Sequence, residues 1–427
     1  MKRIIFLSSF ILFLYLAPSI FAQIDAKMIQ NPNVSATQIV FSYAGDLWVV
    51  PKEGGTAIKL SSPKGQELFP KFSPDGSMIA FNANYNGNSD VYIIPAKGGM
   101  PVRVTNHGMN DRLICWYPDG KNLLFASSME SGKQRFSQLY KVFCKGGLPE
   151  KLKIPYGEMA SFSPDAKKIV YTPRTTAFRT WKRYRGGMNA DIWIFDLEKN
   201  SSERIIENNA YNEFPMWYGN KIYFLSDQGK ENRANIWCYD IKSKETKQIT
   251  KFTDFDIRFP SLGPSEIVFE AGGKLYLLGL SDEKYREVKI NVITDEFTIM
   301  PKVENVSNLI QGGSISPDGK RSLVEARGEI FSVPAENGPV FNLTKSSGSA
   351  EKFPAWSPNG KYAAYWSDKS GEYELTLLDL EKPNSEKKLT SYGPGYRYNL
   401  FWSPDSRMIA FVDKAMEIFI YNIDKNK

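Results

Sequence analysis

The sequence is poor in the side chains that metal sites and hydrolytic triads need. It has one histidine, His107, and three widely spaced cysteines, Cys115, Cys144 and Cys238. Transition-metal sites collect clustered His and Cys ligands, and a catalytic triad needs a base beside its nucleophile. There is also no Gly-x-Ser-x-Gly elbow. The sequence therefore predicts no metal, no cofactor and no catalytic residue, with the cysteines in the core and His107 in a surface turn.

Long apolar runs are equally scarce. One run, residues 4–16, follows Lys2 and Arg3 and precedes Ala22. It is shorter than the roughly 18 residues of a membrane span, and its flanks are those of a secretory signal peptide. Residues 1–22 are therefore predicted to be a signal peptide cleaved after Ala22, with an uncleaved N-terminal anchor as the alternative. The mature chain is expected to be exported, to the periplasm if the source bacterium has two membranes.

A strong excess of one charge sign is also missing. There are 54 Lys and Arg residues against 47 Asp and Glu residues, a formal net charge of +7. That excess is small for a chain of this length and the cations are mostly interspersed, so no nucleic-acid partner is expected. Helical periodicity is absent as well. Pro and Gly interrupt the apolar runs within a few residues, which indicates an all-β protein.

What the sequence does contain is a long repeat. Its clearest copy, residues 69–99, has a Ser-Pro-Asp-Gly turn at 73–76, an apolar strand, a polar loop, a strand that begins at Asp90, and a Gly-Gly pair. Related turns begin at residues 117, 163, 316, 357 and 403, so the spacings 73–117, 117–163, 316–357 and 357–403 are 44, 46, 41 and 46 residues. A period of this length with several strands is typical of β-propellers, one repeat per blade.

The repeats fall into two groups. Six copies lie within residues 23–296, residues 297–308 depart from the pattern and are predicted to be a linker, and three further copies lie within residues 309–427. Six blades close a ring and three do not. The predicted fold is therefore a six-bladed β-propeller followed by three blades of a second, incomplete propeller of the seven-bladed type.

The fourth repeat carries a basic, aromatic insertion between Tyr171 and Asp191. Guanidinium groups match carboxylates, and aromatic rings bind apolar side chains or stack on cations. We therefore predict a substrate-binding loop at one face of the ring. Its candidate residues are Arg174, Arg179, Trp181, Lys182, Arg183, Tyr184 and Arg185. The alternative is a structural loop whose arginines stack on Trp181 and Tyr184 and pair with a neighbouring subunit.

The same insertion carries a family resemblance. Residues 181–187, Trp-Lys-Arg-Tyr-Arg-Gly-Gly, followed by Ile-Trp-Ile at 192–194, resemble the Trp-Lys-x-Tyr-Arg-Gly-Gly segment in the first propeller of the tricorn protease family. Asn-Pro at 31–32 and the strands at 39–41 and 46–48 are similar to the opening of that family. The Ser-Pro-Asp-Gly repeats alone also resemble the WD40-like repeats of TolB-type propellers.

The resemblance implies the non-catalytic propeller region of a tricorn-like serine peptidase, which admits and sorts peptides or unfolded polypeptide and assembles as a homo-oligomer. No PDZ domain or catalytic serine of the family matches this sequence, so the chain alone is expected to be inactive. The archaeal enzyme suggests a cytoplasmic location as an alternative to export. A different class of function is a free-standing TolB-like propeller that binds envelope proteins.

Overall fold

The computed structural model describes residues 23–61, 63–131, 136–180, 182–294, 302–346, 348–382 and 385–427. In these ranges the regular structure consists of β-strands and one 3₁₀ turn at Ser307–Leu309. The chain divides into two units, Met1–Met300 and Pro301–Lys427. Three predictions fall wholly or partly outside the described residues. They concern the signal peptide at residues 1–22, residues 297–301 of the linker, and Trp181.

Six four-stranded antiparallel sheets, here called blades 1 to 6, build the first unit. Blade 1 contains β2 (Gln30–Val34), β3 (Gln38–Tyr43), β4 (Asp46–Pro51) and β6 (Ile58–Lys59); blade 2 contains β7 (Glu67–Phe72), β8 (Met78–Ala83), β9 (Asp90–Pro95) and β10 (Val102–Arg103); blade 3 contains β11 (Asp111–Trp116), β12 (Asn122–Ser127), β13 (Gln138–Phe143) and β14 (Glu150–Lys151).

The remaining three blades repeat this order. Blade 4 contains β15 (Met159–Phe162), β16 (Lys168–Thr172), β17 (Trp193–Asp196) and β18 (Ser201–Arg204); blade 5 contains β19 (Asn212–Tyr218), β20 (Lys221–Ser226), β21 (Asn235–Asp240) and β22 (Thr246–Gln248); blade 6 contains β23 (Arg258–Leu262), β24 (Glu266–Ala271), β25 (Lys274–Gly279) and β26 (Tyr285–Val288). The short strands β1 (Gln23–Asp25), β5 (Gly55–Thr56) and β27 (Ile290–Ile293) form a separate three-stranded sheet.

The Ser-Pro-Asp turns fix where the first strand of a blade ends and the second begins. In blade 2, Ser73 Oγ donates to Asp75 Oδ1 at 2.5 Å and accepts the Met78 amide at 3.0 Å. Gly76 supplies the left-handed φ of 73° that the turn requires. Because this chemistry is local, it recurs in the turns that begin at Ser163, Ser316, Ser357 and Ser403.

An acid at the start of the third strand in blade 2, and just before it in blade 4, has a structural partner thirteen residues later. Asp90 pairs with Arg103 at 2.5 Å and Asp191 pairs with Arg204 at 2.8 Å. These pairs tie the third strand to the outer edge of its blade, so the acids are occupied within the fold.

The first unit is a closed ring. The innermost strand β2 of blade 1 contacts β7 of blade 2 on one side and β23 of blade 6 on the other. β1 and β27 pair antiparallel, and β27 pairs in parallel with β5, which joins the two ends of the ring. Apolar side chains fill the space between neighbouring blades; Phe41, Phe81, Phe125, Phe224 and Phe269 are all fully buried there. The predicted six-bladed propeller is confirmed.

The second unit contains three sheets. Their strands are β28 (Ile310–Ile315), β29 (Arg321–Ala326), β30 (Glu329–Pro334) and β31 (Phe341–Asn342); β32 (Glu351–Trp356), β33 (Tyr362–Ser367), β34 (Glu374–Asp379) and β35 (Lys387–Lys388); and β36 (Arg397–Trp402), β37 (Met408–Asp413) and β38 (Ile418–Asn422). Trp366 and Phe411 pack between the second and third sheets. These are the three blades predicted for an incomplete second propeller, and the all-β class is confirmed.

Candidate functional site

A hollow of about 550 Å³ lies on the axis of the first unit and is lined by residues from all six innermost strands. One residue of each strand, two positions before the turn that follows the strand, contributes to a single layer of its wall. These residues are Asn33, Lys71, Cys115, Ser161, Met216 and Ser261. The hollow extends to the face that carries the Ser-Pro-Asp turns, where Pro74, Pro118 and Pro264 line it.

Phenylalanines close the other end of the hollow. Phe69, Phe214 and Phe259 each precede a proline in an innermost strand and have φ of 54°, 55° and 45°. A bulky residue in the left-handed region costs about 1–3 kcal/mol, and here it coincides with a β-bulge in each strand. The bulges turn the three rings toward the axis, where Phe259 lies 6.1 Å from Phe69 and 5.7 Å from Phe214 between ring centroids.

The fourth ring of this phenylalanine cluster comes from the basic insertion. The ring of Phe178 lies 5.8 Å from that of Phe69 and stacks on that of Phe259 at 6.2 Å. The guanidinium carbon of Arg112, on blade 3, lies 5.0 Å from the same ring. The insertion therefore reaches across the ring from blade 4, and its phenylalanine completes the closure.

A buried glutamate anchors the insertion. Glu213, the second residue of β19, is fully buried and accepts hydrogen bonds from the Thr175 hydroxyl at 2.7 Å and from the hydroxyl and amide of Thr176. Burial raises the pKa of Glu213 to about 7, against the lowering effect of those hydrogen bonds. These hydrogen bonds fix Thr175 and Thr176, which lie three and two positions before Phe178.

Three of the predicted cationic residues are held by groups of the same unit. Arg183 forms a two-pronged pair with Asp256, at 3.2 and 2.9 Å, and Arg185 forms another with Asp227, at 3.0 and 2.9 Å. The guanidinium of Arg174 donates to the carbonyl of Gly187. Both ion pairs join the insertion to loops next to blades 5 and 6, so they fasten the insertion within its own chain.

The other predicted residues differ in their surroundings. Within the described chain, Arg179 has no ion-pair partner at salt-bridge distance, and the charge of Lys182 helps to lower the pKa of Asp256, the carboxylate that Arg183 binds. A Cβ at Gly186 would collide with the hydroxyl of Tyr184, so this ring lies directly against the Gly-Gly segment. A small cavity of about 40 Å³ beneath the insertion is lined by Lys182, Arg183 and Tyr184 together with Phe214 and Phe259.

The residues of the hollow were not identified from sequence. The Phe-Pro pairs recur in blades 2, 5 and 6, and the residue after each proline lines the wall; that pattern was a usable signal. Lys71 is the one charged member of the six-residue layer, and Cys115, expected in a core, lies in the wall as well. Burial raises the pKa of Cys115 to about 12, so its thiol is protonated at neutral pH.

The single histidine lies in a surface turn, as predicted. His107 is exposed, and its Nδ1 accepts the Met109 amide at 3.1 Å. Over the described ranges there is no group of three or more His, Cys, Asp or Glu residues that could hold a metal ion. No helix in the same ranges has the length and apolar character needed to cross a membrane.

A family model for the tricorn protease N-terminal β-propeller domain matches residues 26–284. The chain belongs to this family. A tricorn protease homolog from Saccharolobus solfataricus is 25% identical over 398 residues, which cover 92% of this chain and 36% of the relative. A putative tricorn-like protease N-terminal subunit from Sulfurisphaera tokodaii is 27% identical over 166 residues, which cover 38% of this chain and 84% of that protein.

A crystal structure of the tricorn protease superposes with a TM-score of 0.58 and 21% identity, over 94% of this chain and 44% of the other. That likeness establishes the propeller fold. This tricorn-family chain spans about a third of the Saccharolobus relative (36%) and under half of the solved tricorn chain (44%).

Proposed function

We propose that this chain is the non-catalytic propeller region of a tricorn-like serine peptidase, where it admits and sorts peptides for proteolysis. The observation that supports the proposal is the hollow on the ring axis. Its volume of about 550 Å³ falls in the range of about 300–1,000 Å³ typical of ligand sites. The family membership of residues 26–284 supplies the peptidase context.

The phenylalanine cluster gives the hollow a closed end. A peptide that enters from the turn face meets Phe69, Phe214 and Phe259, and passage beyond them requires Phe178 to move. We therefore expect sorting by what fits into the hollow rather than free passage through an open channel. At the opposite face, the exposed side chains of Arg179 and Lys182 are the cations of the insertion that we expect to attract peptide carboxylates.

We propose that proteolysis is carried out by catalytic domains of the peptidase and not by this propeller region. Two relatives are named as a tricorn protease homolog and as a tricorn-like N-terminal subunit, and the first is much longer than this chain. We propose a homo-oligomer for the assembled peptidase. The second unit, with its three sheets, is expected to contribute to that assembly.

The test is to mix the purified mature chain with short synthetic peptides of graded length, an unfolded polypeptide and a folded control protein. Retention is measured by gel filtration and cleavage by mass spectrometry. We expect retention of short peptides and no cleavage. Cleavage that a substitution in this chain abolishes would overturn the non-catalytic role. Retention of the folded protein without any peptide would instead support a TolB-like propeller that binds envelope proteins.

We also propose that the protein is exported, with cleavage after Ala22. The support is the Lys-Arg pair followed by the apolar run at residues 4–16. Mass spectrometry of the chain isolated from its source fixes the N-terminus, and we expect Gln23. An N-terminus at residue 1 in the cytoplasmic fraction would favour the cytoplasmic alternative.

A further inference from the structure

The wall of the hollow contains a polar cluster built by three blades. The ammonium of Lys71 donates to Ser261 Oγ at 2.6 Å, and the same oxygen accepts a hydrogen bond from Asn33 Nδ2 at 2.8 Å. Asn33 Oδ1 in turn accepts the backbone N–H of Phe72 at 2.8 Å. β7, β23 and β2 therefore hold the three side chains in fixed positions around one point of the wall.

This cluster has more unused donor protons than unused acceptor positions. An ammonium group carries three protons and a hydroxyl carries one. The described contacts use one proton of Lys71 and none of Ser261, while Asn33 Oδ1 is occupied by Phe72. A ligand atom that satisfies the remaining donors must be an acceptor.

The charge of Lys71 also lacks a counterion in the hollow. The other charged residues of the lining are Arg112 and Asp75. Arg112 pairs with Glu158, and Asp75 lies exposed in its turn, where Ser73 and Ser77 donate to it. Neither neutralises the ammonium, so the interior of the hollow carries one uncompensated positive charge.

We propose that Lys71 and Ser261 form a carboxylate-binding site inside the hollow, and that its ligand is the C-terminal carboxylate of a short peptide. One carboxylate oxygen accepts from the ammonium of Lys71 and the other from the hydroxyl of Ser261, and such charge-assisted bonds are the strong ones. Met216, Trp217 and Phe162 line the same hollow and offer apolar surface to the side chains that precede the carboxylate. The peptide part of this inference rests on the proposed function.

The site has a distinct pH dependence. Burial lowers the pKa of Lys71 to about 8, while the facing groups on the other strands, Asn33, Ser261 and the protonated thiol of Cys115, are neutral, and the Arg112 charge is paired. A peptide carboxylate stays ionised above about pH 4. Affinity for it therefore falls as pH rises through about 8, where the ammonium loses its proton.

The experiment compares two fluorescent peptides of one sequence, one with a free C-terminal carboxylate and one with a C-terminal amide, by fluorescence anisotropy. We expect the wild-type chain to bind the carboxylate form about tenfold or more tightly than the amide at neutral pH. Lys71→Met should remove that preference, and Ser261→Ala should reduce it. Lys121→Met is the control for loss of one lysine charge, because Lys121 is exposed in the turn of blade 3 and does not line the hollow.

The pH titration of the wild-type chain keeps the inference testable should Lys71→Met fail to fold. Loss of the carboxylate preference between about pH 7 and pH 9 supports the site. A preference that persists at high pH, or survives in folded Lys71→Met, overturns it while the proposed function stands. If octanoate displaces the fluorescent carboxylate peptide and the same peptide without its fluorophore does not, the peptide assignment is overturned. If neither peptide binds at any pH, both this inference and the proposed function fail.

Discussion

At the scale of single residues, the turns show how one backbone requirement is met in different ways. Gly76 has a φ of 73° in blade 2, and Ala166 has a φ of 56° at the same position in blade 4. Both amides donate to the carbonyl of the serine that opens the turn, at 2.8 and 2.9 Å. The turn geometry is thus the same, and Ala166 bears the steric cost that glycine avoids.

We therefore expect Ala166→Gly to stabilise the first unit by about 0.5–1 kcal/mol, because the left-handed penalty of about 1–2 kcal/mol exceeds the added chain entropy. Gly76→Ala is the matched reverse change. A Cβ at Gly76 would lie 3.6 Å from Ser35 Cβ, an ordinary contact, so its cost is in the backbone alone. Urea unfolding measures both. Equal stabilities for all three proteins would contradict the strain at Ala166.

At the scale of elements, the basic insertion separates what a sequence can predict from what it cannot. The Ser-Pro-Asp turns and the acid at the start of the third strand were predictable because their partners lie within a few residues or thirteen residues away. Arg183 and Asp256 are 73 residues apart, and Arg185 and Asp227 are 42 apart. Those pairs exist only because blades 4, 5 and 6 are neighbours in the closed ring.

The phenylalanine cluster was unpredictable for the same reason. Phe69 and Phe259 lie in blades 2 and 6, and they meet only after the ring closes and the bulges turn both rings toward the axis. The sequence identified the insertion as unusual and basic, but its apolar member, Phe178, makes the contacts across the axis. Local patterns predicted the blades, and the site depended on contacts that only ring closure creates.

The anchor of the insertion should make stability depend on pH. The pKa of Glu213 is about 7 in the folded chain, above its ordinary value of 4.5. Between about pH 4.5 and 7 the unfolded carboxyl has lost its proton while the folded one keeps it, so stability falls as pH rises, by up to about 3 kcal/mol. We expect Glu213→Gln to flatten this slope, measured by urea unfolding at about pH 5 and pH 7.5.

The exposed Glu245→Gln serves as the control for that measurement and should keep the wild-type slope. Glu270, whose pKa burial also raises to about 7, remains in both variants, so some slope persists in each. An identical slope in Glu213→Gln and wild type would mean that Glu213 is ionised throughout.

At the scale of the whole molecule, the two units differ in how their sheets are covered. In the first unit the blades pack on neighbours around the ring. In the third sheet of the second unit, Phe401, Ala410 and Ile420 stand side by side in register, and Phe401, Ile418 and Ile420 are 57%, 76% and 64% exposed. A contiguous apolar face of this kind is typical of an interaction surface.

We expect this face to drive concentration-dependent self-association of the isolated chain. Ile418→Lys combined with Ile420→Lys should shift sedimentation velocity profiles toward the monomer, because two charges would have to be buried in the contact. The matched control is Leu148→Lys in the first unit, since Leu148 is 96% exposed without belonging to such a row. If Leu148→Lys reduces self-association as strongly as the double variant does, this face is not the contact. If the wild-type chain stays monomeric at every concentration, the face does not drive self-association.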